Sequence, residues 1–293
     1  MNHSLFTRFA PWIFVFIWST GWIVAKFGAP NADPLTFLTT RYALAAGLLA
    51  LIIGFSRIEW PKARSFYGHN LVSGGLIHAL YLGSVWYAVA HGVPATISAL
   101  IAAIQPILST VLAPVLQKER VTGLRWLGVA LGFCGLIVVL SPKLFGLVGV
   151  DFSALKVPLM LNCLGMVSVT LGTFYQKHYV PSGDLRLVTL LQYVGAFLVT
   201  LPLAYIFEPM RIVWNQSLIL TMAWSVVALS LGAVGLLLLL IRQGAVSRAA
   251  ALIFLVPPTA AVQGYFLLGE SLSPLQWGGM ALTVAGVALA TRR

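Results

Sequence analysis

Residues 106–135 read PILSTVLAPVLQKERVTGLRWLGVALGFCG, and residues 257–286 read PPTAAVQGYFLLGESLSPLQWGGMALTVAG. Aligned without a gap, the two stretches share a proline, a glutamate, a tryptophan and two glycines. The shared residues include Pro106, Glu119, Trp126, Gly128 and Gly135, matched by Pro257, Glu270, Trp277, Gly279 and Gly286. All five pairs are 151 residues apart. A period this long indicates a duplicated half-protein and not a solenoid of short repeats.

The same offset holds upstream of the quoted stretch. Four more residues recur 151 positions later, namely Gly21, Lys26, Asp33 and Tyr42, which are matched by Gly172, Lys177, Asp184 and Tyr193. The duplication therefore covers about half of the chain in each copy.

The composition indicates a membrane protein. The chain is 59% hydrophobic and 9% charged, whereas soluble domains are about 25% charged. Its formal charge of +11 would suit a nucleic-acid partner, but the basic residues fall in alternate loops between apolar runs. There they report membrane topology, so we expect a lipid bilayer and no nucleic acid as the partner. Cys134 and Cys163 lie in apolar runs and are expected to be buried thiols.

Apolar runs of about 18 or more residues predict membrane-spanning helices. The first run resembles a signal peptide, but its length and the lack of a clear cleavage site favour a retained helix. The fold class is an all-α membrane protein of ten helices. Their predicted ranges are 11–29, 34–55, 70–91, 94–116, 123–140, 155–177, 185–207, 216–241, 248–268 and 274–291.

Basic residues predict the orientation. With the N-terminus in the cytoplasm, thirteen of the 18 Lys and Arg residues fall on the cytoplasmic side and five on the other. This bias predicts that both termini are cytoplasmic. Residues 11–140 and 155–291 are then two five-helix repeats of opposite orientation, because each has an odd number of helices. Inverted repeats are typical of secondary transporters, whose substrate site lies near the bilayer midplane.

The motifs resemble those of the drug/metabolite transporter superfamily, and specifically of its EamA-like family. The resemblance covers residues from about 11 to 290. In the first copy it rests on Trp18-Ser19, Arg41-Tyr42, Pro106, Lys118-Glu119-Arg120, Gly128 and Gly135, and in the second copy on the matching residues Pro257, Gly269-Glu270, Gly279 and Gly286. It implies a ten-helix inner-membrane carrier of small metabolites, many family members being exporters of amino acids or related compounds. Lys118 and Gln192 depart from the pattern.

Polar residues within predicted helices are the candidates for substrate binding, because polar groups facing lipid are costly. His78 and Tyr81 share a face of the third helix at α-helical spacing. His78 could instead be a neutral core histidine. The other candidates are Trp22, Ser98, Gln105 and Asn162, for which helix packing or an interfacial belt is the alternative.

Two prolines predict helix kinks, because proline removes an intrahelical hydrogen bond. Pro106 lies in the fourth helix and Pro257 in the ninth. Glycines seven residues apart, Gly128 with Gly135 and Gly279 with Gly286, predict close helix approach.

Charges near the helix ends suggest gates. At the outer side, Glu270 could pair with Lys26 or Arg41, and at the cytoplasmic side Glu119 could pair with Lys177. Each such pair would close one face of the membrane. The alternative is that both glutamates stabilise the N-termini of the helices that follow them.

The sequence shows no metal-ligand cluster, nucleotide loop or nucleophilic triad. We therefore expect no cofactor, no metal and no enzyme activity. The predicted function is an inner-membrane secondary transporter of small metabolites such as amino acids or their derivatives, with export favoured by the resemblance alone. A membrane-embedded enzyme acting on lipid-linked substrates is the alternative, but the seven carboxylates are scattered over both faces. The oligomeric state stays open.

Overall fold

The chain folds into ten helical segments in a computed structural model that describes residues 3–56, 58–147, 153–243, 246–268 and 272–292. Five helices are continuous: α2, Pro34–Gly54; α5, Gly123–Phe145; α6, Lys156–Tyr179; α7, Leu185–Phe207; and α10, Pro274–Ala290. The other five consist of consecutive pieces: α1, His3–Ser19 and Gly21–Gly28; α3, Arg64–Gly74, Gly75–Leu80 and Tyr81–Ala90; α4, Ala95–Ala102 and Ile104–Gln117; α8, Gln216–Trp224, Ser225–Ala233 and Val234–Gln243; and α9, Val246–Ala251, Leu252–Leu255 and Val256–Leu268. In the described ranges, nine segments are long and apolar enough to cross a membrane, and α10 is shorter at 17 residues.

Local sequence explains where several helices begin. The side chains of Thr122 and Asn215 accept hydrogen bonds from backbone N–H groups of α5 and α8, and Ser273 forms a capping box with Gln276 at the start of α10. Asp184 caps α7, and its hydrogen bonds with Arg186 hold the pKa of the Asp184 carboxyl below its usual value. These caps satisfy donors that the first helical turn leaves free.

Three helices are longer than expected by five or more residues. The first begins at His3 rather than at residue 11. The third begins at Arg64 rather than at residue 70, because its polar first turns are held by the helix itself and by α6: Asn70 donates to the Phe66 carbonyl and His69 bonds to Tyr175. The fifth continues to Phe145 through Pro142. The hydrophobicity of the sequence predicts where the apolar part of a helix lies. How far the helix extends into its polar ends depends on hydrogen bonds and tertiary contacts.

Two helices contain π-helical segments that the sequence patterns did not predict. They are Gly75–Leu80 in α3 and Ser225–Ala233 in α8. A shift of 151 residues moves the first onto 226–231, inside the second. A π turn holds an extra residue, which disturbs the regular hydrogen-bond ladder, and such turns are frequent at functional sites.

Glycines let α5 and α10 pack backbone against backbone. A Cβ atom on Gly128 would collide with the backbone of Ala290, and one on Gly286 would collide with the backbone of Gly132. A Cβ atom on Gly135 would lie 2.5 Å from Thr283 Oγ1. The prediction that these glycines permit close helix approach is confirmed, and the structure shows that the two helices approach each other.

The outer surface of the bundle is apolar. Large side chains such as Trp12, Phe55 and Phe266 are exposed, as befits a surface in contact with lipid. Cys134 and Cys163 are also exposed, so the expectation that they are buried was wrong. In a membrane protein an apolar segment has a lipid-facing side as well as a core side, and a small apolar residue can occupy either.

Candidate functional site

Contacts between loops define the two ends of the bundle. At one end, which we call the Asp33 end, Ala32 forms an antiparallel bridge with Ile212, and Asp33 lies 3.5 Å from Arg211. The Glu208 carboxylate there accepts hydrogen bonds from the first N–H groups of α2. The α1–α2 and α7–α8 loops are thus joined.

At the opposite end, which we call the Lys177 end, α4, α6 and α8 finish together. Lys177 Nζ donates to the carbonyls of Ile241 and Arg242 at 2.7 and 2.9 Å. Gln117 donates to the carbonyl of Phe174. Basic side chains near the last carbonyls of a helix interact favourably with its dipole. Lys177 therefore stabilises the C-terminus of α8.

A narrow cavity lies between six helices, α1, α3, α4, α6, α8 and α9. Its wall includes the polar and aromatic side chains Trp18, Tyr81, Gln105 and Thr173, and it becomes aliphatic toward Ile241. The cavity volume is about 20 Å³, which suffices for about one water molecule. In this conformation the helices are closed around the centre.

The sequence candidates divide between this cavity and its surroundings. Tyr81 and Gln105 lie in the cavity wall. Asn162 Nδ2 donates to Ser98 Oγ at 2.8 Å, with both residues buried, and this bond joins α6 to α4 near the Asp33 end. The Trp22 side chain lies outside the part of the chain that the structure describes.

His78 lies beside the cavity wall and against a tyrosine. Its ring centroid is 4.9 Å from that of Tyr193, and the residue is 1% exposed. The prediction that His78 and Tyr81 share a face assumed α-helical spacing, whereas His78 belongs to the π segment of α3. The wider turn places Tyr81 in the cavity wall and His78 against α7.

A buried polar cluster adjoins His78. Ser73 Oγ donates to Gln176 Oε1 at 2.8 Å, and the Gln192 amide donates both to Ser73 Oγ and to Gln176 Oε1. His78 Nε2, Gln192 Oε1 and Gln176 Nε2 have no hydrogen-bond partner. Buried polar atoms without partners are uncommon in proteins and call for an explanation.

Two tyrosines stack at the centre of the molecule. The rings of Tyr42 and Tyr193 are 5.8 Å apart and 15° from parallel. The Tyr42 hydroxyl donates to the His78 carbonyl at 3.0 Å, and the Tyr193 hydroxyl donates to the Ser230 carbonyl at 2.6 Å. Both acceptors lie in π segments, so the pair ties α2 and α7 to the irregular turns of α3 and α8. The recurrence of tyrosine at positions 42 and 193 was the sequence signal for this pair.

Three of the five gating candidates make contacts other than the predicted pairs in this conformation. The ion pair shown for Glu119 is with Arg125 at 2.5 Å, and Lys177 meets the α8 carbonyls. Arg41 Nε donates to Ser230 Oγ at 2.8 Å near the middle of the bundle. Lys26 is exposed, and Glu270 lies outside the described residues. The helix cap at the start of α5 is Thr122 and not Glu119.

Both proline candidates follow a break in helical regularity. The α4 helix is interrupted at Ala103, shortly before Pro106, and a 3₁₀ segment, Leu252–Leu255, precedes Pro257 in α9. A proline ring clashes with the carbonyl four residues earlier, which accounts for a break on that side of each proline. The Pro106 carbonyl accepts a hydrogen bond from Thr110.

The sequence model of the EamA-like transporter family matches residues 10–141 and, a second time, residues 156–292. The chain belongs to the EamA-like transporter family. This agrees with the resemblance to the drug/metabolite transporter superfamily, and with the apolar helices it makes the chain a multi-pass membrane protein.

Relatives of this EamA-family protein are named as transporters. The chain is 26% identical to the uncharacterized transporter YvbV of Bacillus subtilis over 277 residues, 94% of this chain and 88% of that protein. It is 28% identical to the uncharacterized inner membrane transporter YedA of Escherichia coli K12, over 94% and 87% of the two chains. A probable amino-acid metabolite efflux pump of Salmonella typhimurium is 24% identical, over 93% and 90%.

A solved crystal structure has the same fold. It superposes with a TM-score of 0.76, covering 97% of this chain and 96% of its own, at 16% identity. At that identity the likeness concerns the fold alone.

Proposed function

We propose that this EamA-family protein is a secondary transporter that exports small metabolites across the inner membrane by alternating access. The central cavity carries the proposal. Its six helices comprise α1, α3 and α4 from the first family match and α6, α8 and α9 from the second. Corresponding helices of two halves thus surround one central space. Secondary transporters bind substrate at such an interface between inverted repeats.

In this proposal residues 11–140 and 155–291 are the two repeats, each of five helices. The cavity is too small for a metabolite, so the helices must separate at one end at a time. At the Asp33 end the Asn162–Ser98 bond between α6 and α4 would break. At the Lys177 end the contacts of Lys177 with α8 would break. A gating role for the predicted charge pairs stays a prediction.

The substrate class we propose is amino acids or their derivatives. The name of the Salmonella relative, a probable amino-acid metabolite efflux pump, supports it, and Trp18 and Tyr81 in the cavity wall suit a substrate that is partly apolar. We propose export rather than import because that relative is named as an efflux pump. Both termini, and with them the Lys177 end, are proposed to face the cytoplasm because most basic residues lie at that end.

The test is efflux of labelled amino acids from proteoliposomes that hold the purified protein. We expect wild-type protein to release at least one amino acid faster than empty liposomes do, without chemical change of the label. Gln105→Ala, in the cavity wall, should slow this efflux. Ser141→Ala, near the end of α5 and away from the cavity, is the control. No efflux for any amino acid would refute the substrate class, and conversion of the label would favour the enzyme alternative.

A further inference from the structure

Arg41 is a buried cation without an acidic partner. It is 5% exposed and lies seven residues after Pro34, so it is about 10 Å along the α2 axis from the Asp33 end of that helix. Its Nε donates to Ser230 Oγ. In the described part of the chain, the ion pairs use Arg125, Arg186 and Arg211, and no carboxylate pairs with Arg41.

Such a cation is costly unless something compensates it. A guanidinium has five N–H donors, and one is used on the Ser230 hydroxyl. Desolvation of a buried charge must be offset by a partner of opposite sign. Ionisable residues within membrane segments usually mark substrate or ion pathways for this reason. A serine hydroxyl supplies a hydrogen bond but no neutralising charge.

His78 supplies a second, independent polar group at the same place. Its Nε2 is buried and has no hydrogen-bond partner. Arg41 donates to Ser230, the Ser230 carbonyl accepts from the Tyr193 hydroxyl, and the Tyr193 ring lies 4.9 Å from the His78 ring, so Arg41 and His78 belong to one cluster around Tyr193. The cluster therefore holds one positive charge and an imidazole nitrogen that makes no hydrogen bond of good geometry, although the Gln192 side chain lies close to the ring.

The cluster lies where a transported group would pass. His78 and Ser230 are near the midpoints of the membrane-spanning ranges Arg64–Ala90 and Gln216–Gln243. Ile77 and Tyr81, which flank His78 in α3, line the central cavity. The cluster therefore adjoins the cavity through α3.

We propose that Arg41 and His78 bind a carboxylate of the transported substrate, while Ser230 holds the guanidinium when the site is empty. This inference rests on the proposed transport function. The guanidinium fork matches the two oxygens of a carboxylate, and His78 Nε2 can donate a further hydrogen bond as the N–H tautomer. One carboxylate neutralises one guanidinium. A phosphate dianion would leave a net charge in the membrane, so the site favours a carboxylate.

The duplication provides the test variant. The residue 151 positions after Arg41 is Gln192, which is fully buried and hydrogen-bonded to Ser73 and Gln176. The fold therefore accepts glutamine at the corresponding position of the second half. Arg41→Gln should therefore fold, and the loss of the positive charge should weaken the binding of a carboxylate ligand. Lys143→Gln, at an exposed position near the end of α5, is the matched control for net charge.

The first measurement is binding, and it is independent of transport. Thermal unfolding of the purified protein is followed with benzoate, with the neutral isostere benzamide and with phenyl phosphate at equal ionic strength. We expect benzoate to raise the melting temperature of wild type and of Lys143→Gln, and benzamide to have no effect. In Arg41→Gln the apparent Kd for benzoate should rise at least tenfold. Three outcomes would overturn the proposal. Benzoate could raise the melting temperature of Arg41→Gln as much as that of wild type, it could leave wild type unchanged, or phenyl phosphate could raise the melting temperature more than benzoate does.

A second variant covers the case in which Arg41→Gln fails to fold, as judged by size-exclusion elution. Arg41→Lys keeps the charge and loses the fork, so benzoate should bind at least threefold more weakly. An unchanged Kd would overturn the bidentate site.

Transport separates this inference from the proposed function. Proteoliposomes are tested with labelled phenylalanine and with phenylalaninamide, which lacks the carboxylate. We expect Arg41→Gln to lose phenylalanine flux at least tenfold and to keep any flux of the amide. Flux of neither compound in wild type would count against transport of these compounds, while the benzoate measurement would still decide the site. Unchanged phenylalanine flux in Arg41→Gln would refute the carboxylate site and leave the transport function standing.

Discussion

At the scale of single residues, the centre of the protein depends on polar groups that bind backbone inside helices. Tyr42 and Tyr193 each donate to a carbonyl in a π segment. An irregular turn in a membrane-spanning helix needs such partners, because no water is available to the displaced carbonyl groups. The tyrosines therefore stabilise a local geometry that would be unfavourable alone.

We predict that Tyr193→Phe lowers thermal stability, since it removes the hydrogen bond from the Tyr193 hydroxyl to the Ser230 carbonyl. The loss should be about 0.5–1.5 kcal/mol, the usual net contribution of one hydrogen bond. The measurement is the melting temperature of purified protein. Tyr205→Phe in the same helix is the control, because Tyr205 is 77% exposed. Equal melting temperatures for the two variants would mean that the hydroxyl bond contributes nothing.

At the scale of helices, the strongest packing constraint is between α5 and α10. Glycines on both helices leave room for backbone contact and for no side chain. In lipid, such close packing replaces the hydrophobic driving force that helices have in water. The pair should therefore tolerate little change at its contact positions.

We predict that Gly286→Ala reduces the yield of folded protein, because its Cβ atom would collide with the backbone of Gly132. Gly278→Ala in the same helix is the control, since a Cβ atom there meets nothing within 4 Å. Alanine is the better helix former by about 1 kcal/mol, so the control should be neutral or stabilising. Size-exclusion profiles report both outcomes, and a monodisperse Gly286→Ala protein at wild-type yield would contradict the packing account.

At the scale of the whole molecule, the proposed transport mechanism depends on which end of the bundle opens and which side of the membrane that end faces. The Asp33 end is closed by loop contacts and by the Asn162–Ser98 bond, and the Lys177 end by Lys177 and Gln117. Both closures are present around a cavity with room for about one water. Alternating access requires each closure to be reversible.

We predict that a disulfide between Ser98→Cys and Asn162→Cys stops transport. It would fix α4 to α6 near the Asp33 end, where their side chains are now 2.8 Å apart. The background should have Cys134 and Cys163 replaced by serine. Flux should return when a reductant breaks the bond, and either single cysteine variant serves as the control. Full flux with the disulfide formed would show that these helices need not separate.

Membrane orientation provides a separate prediction. The distribution of basic residues predicts that the Lys177 end and both termini face the cytoplasm. Thr291→Cys should therefore resist an impermeant thiol reagent added to intact cells, whereas Arg211→Cys, 58% exposed at the Asp33 end, should react. The opposite labelling pattern would invert the topology.

The sequence by itself determined the membrane class, the family resemblance and the glycine positions at which helices approach closely, because hydrophobicity, duplication and glycine spacing are local or periodic properties. That α5 packs against α10 was decided by the tertiary structure. It also pointed to Tyr81 and Gln105, since polar residues in a membrane helix avoid lipid. The tertiary structure alone decided the π segments, the outward-facing cysteines and the partners of Arg41, Glu119 and Lys177. Whether a helix face is buried or exposed depends on the helix that packs against it. A long side chain can reach several neighbours, and which of them it binds depends on the distances in the folded protein.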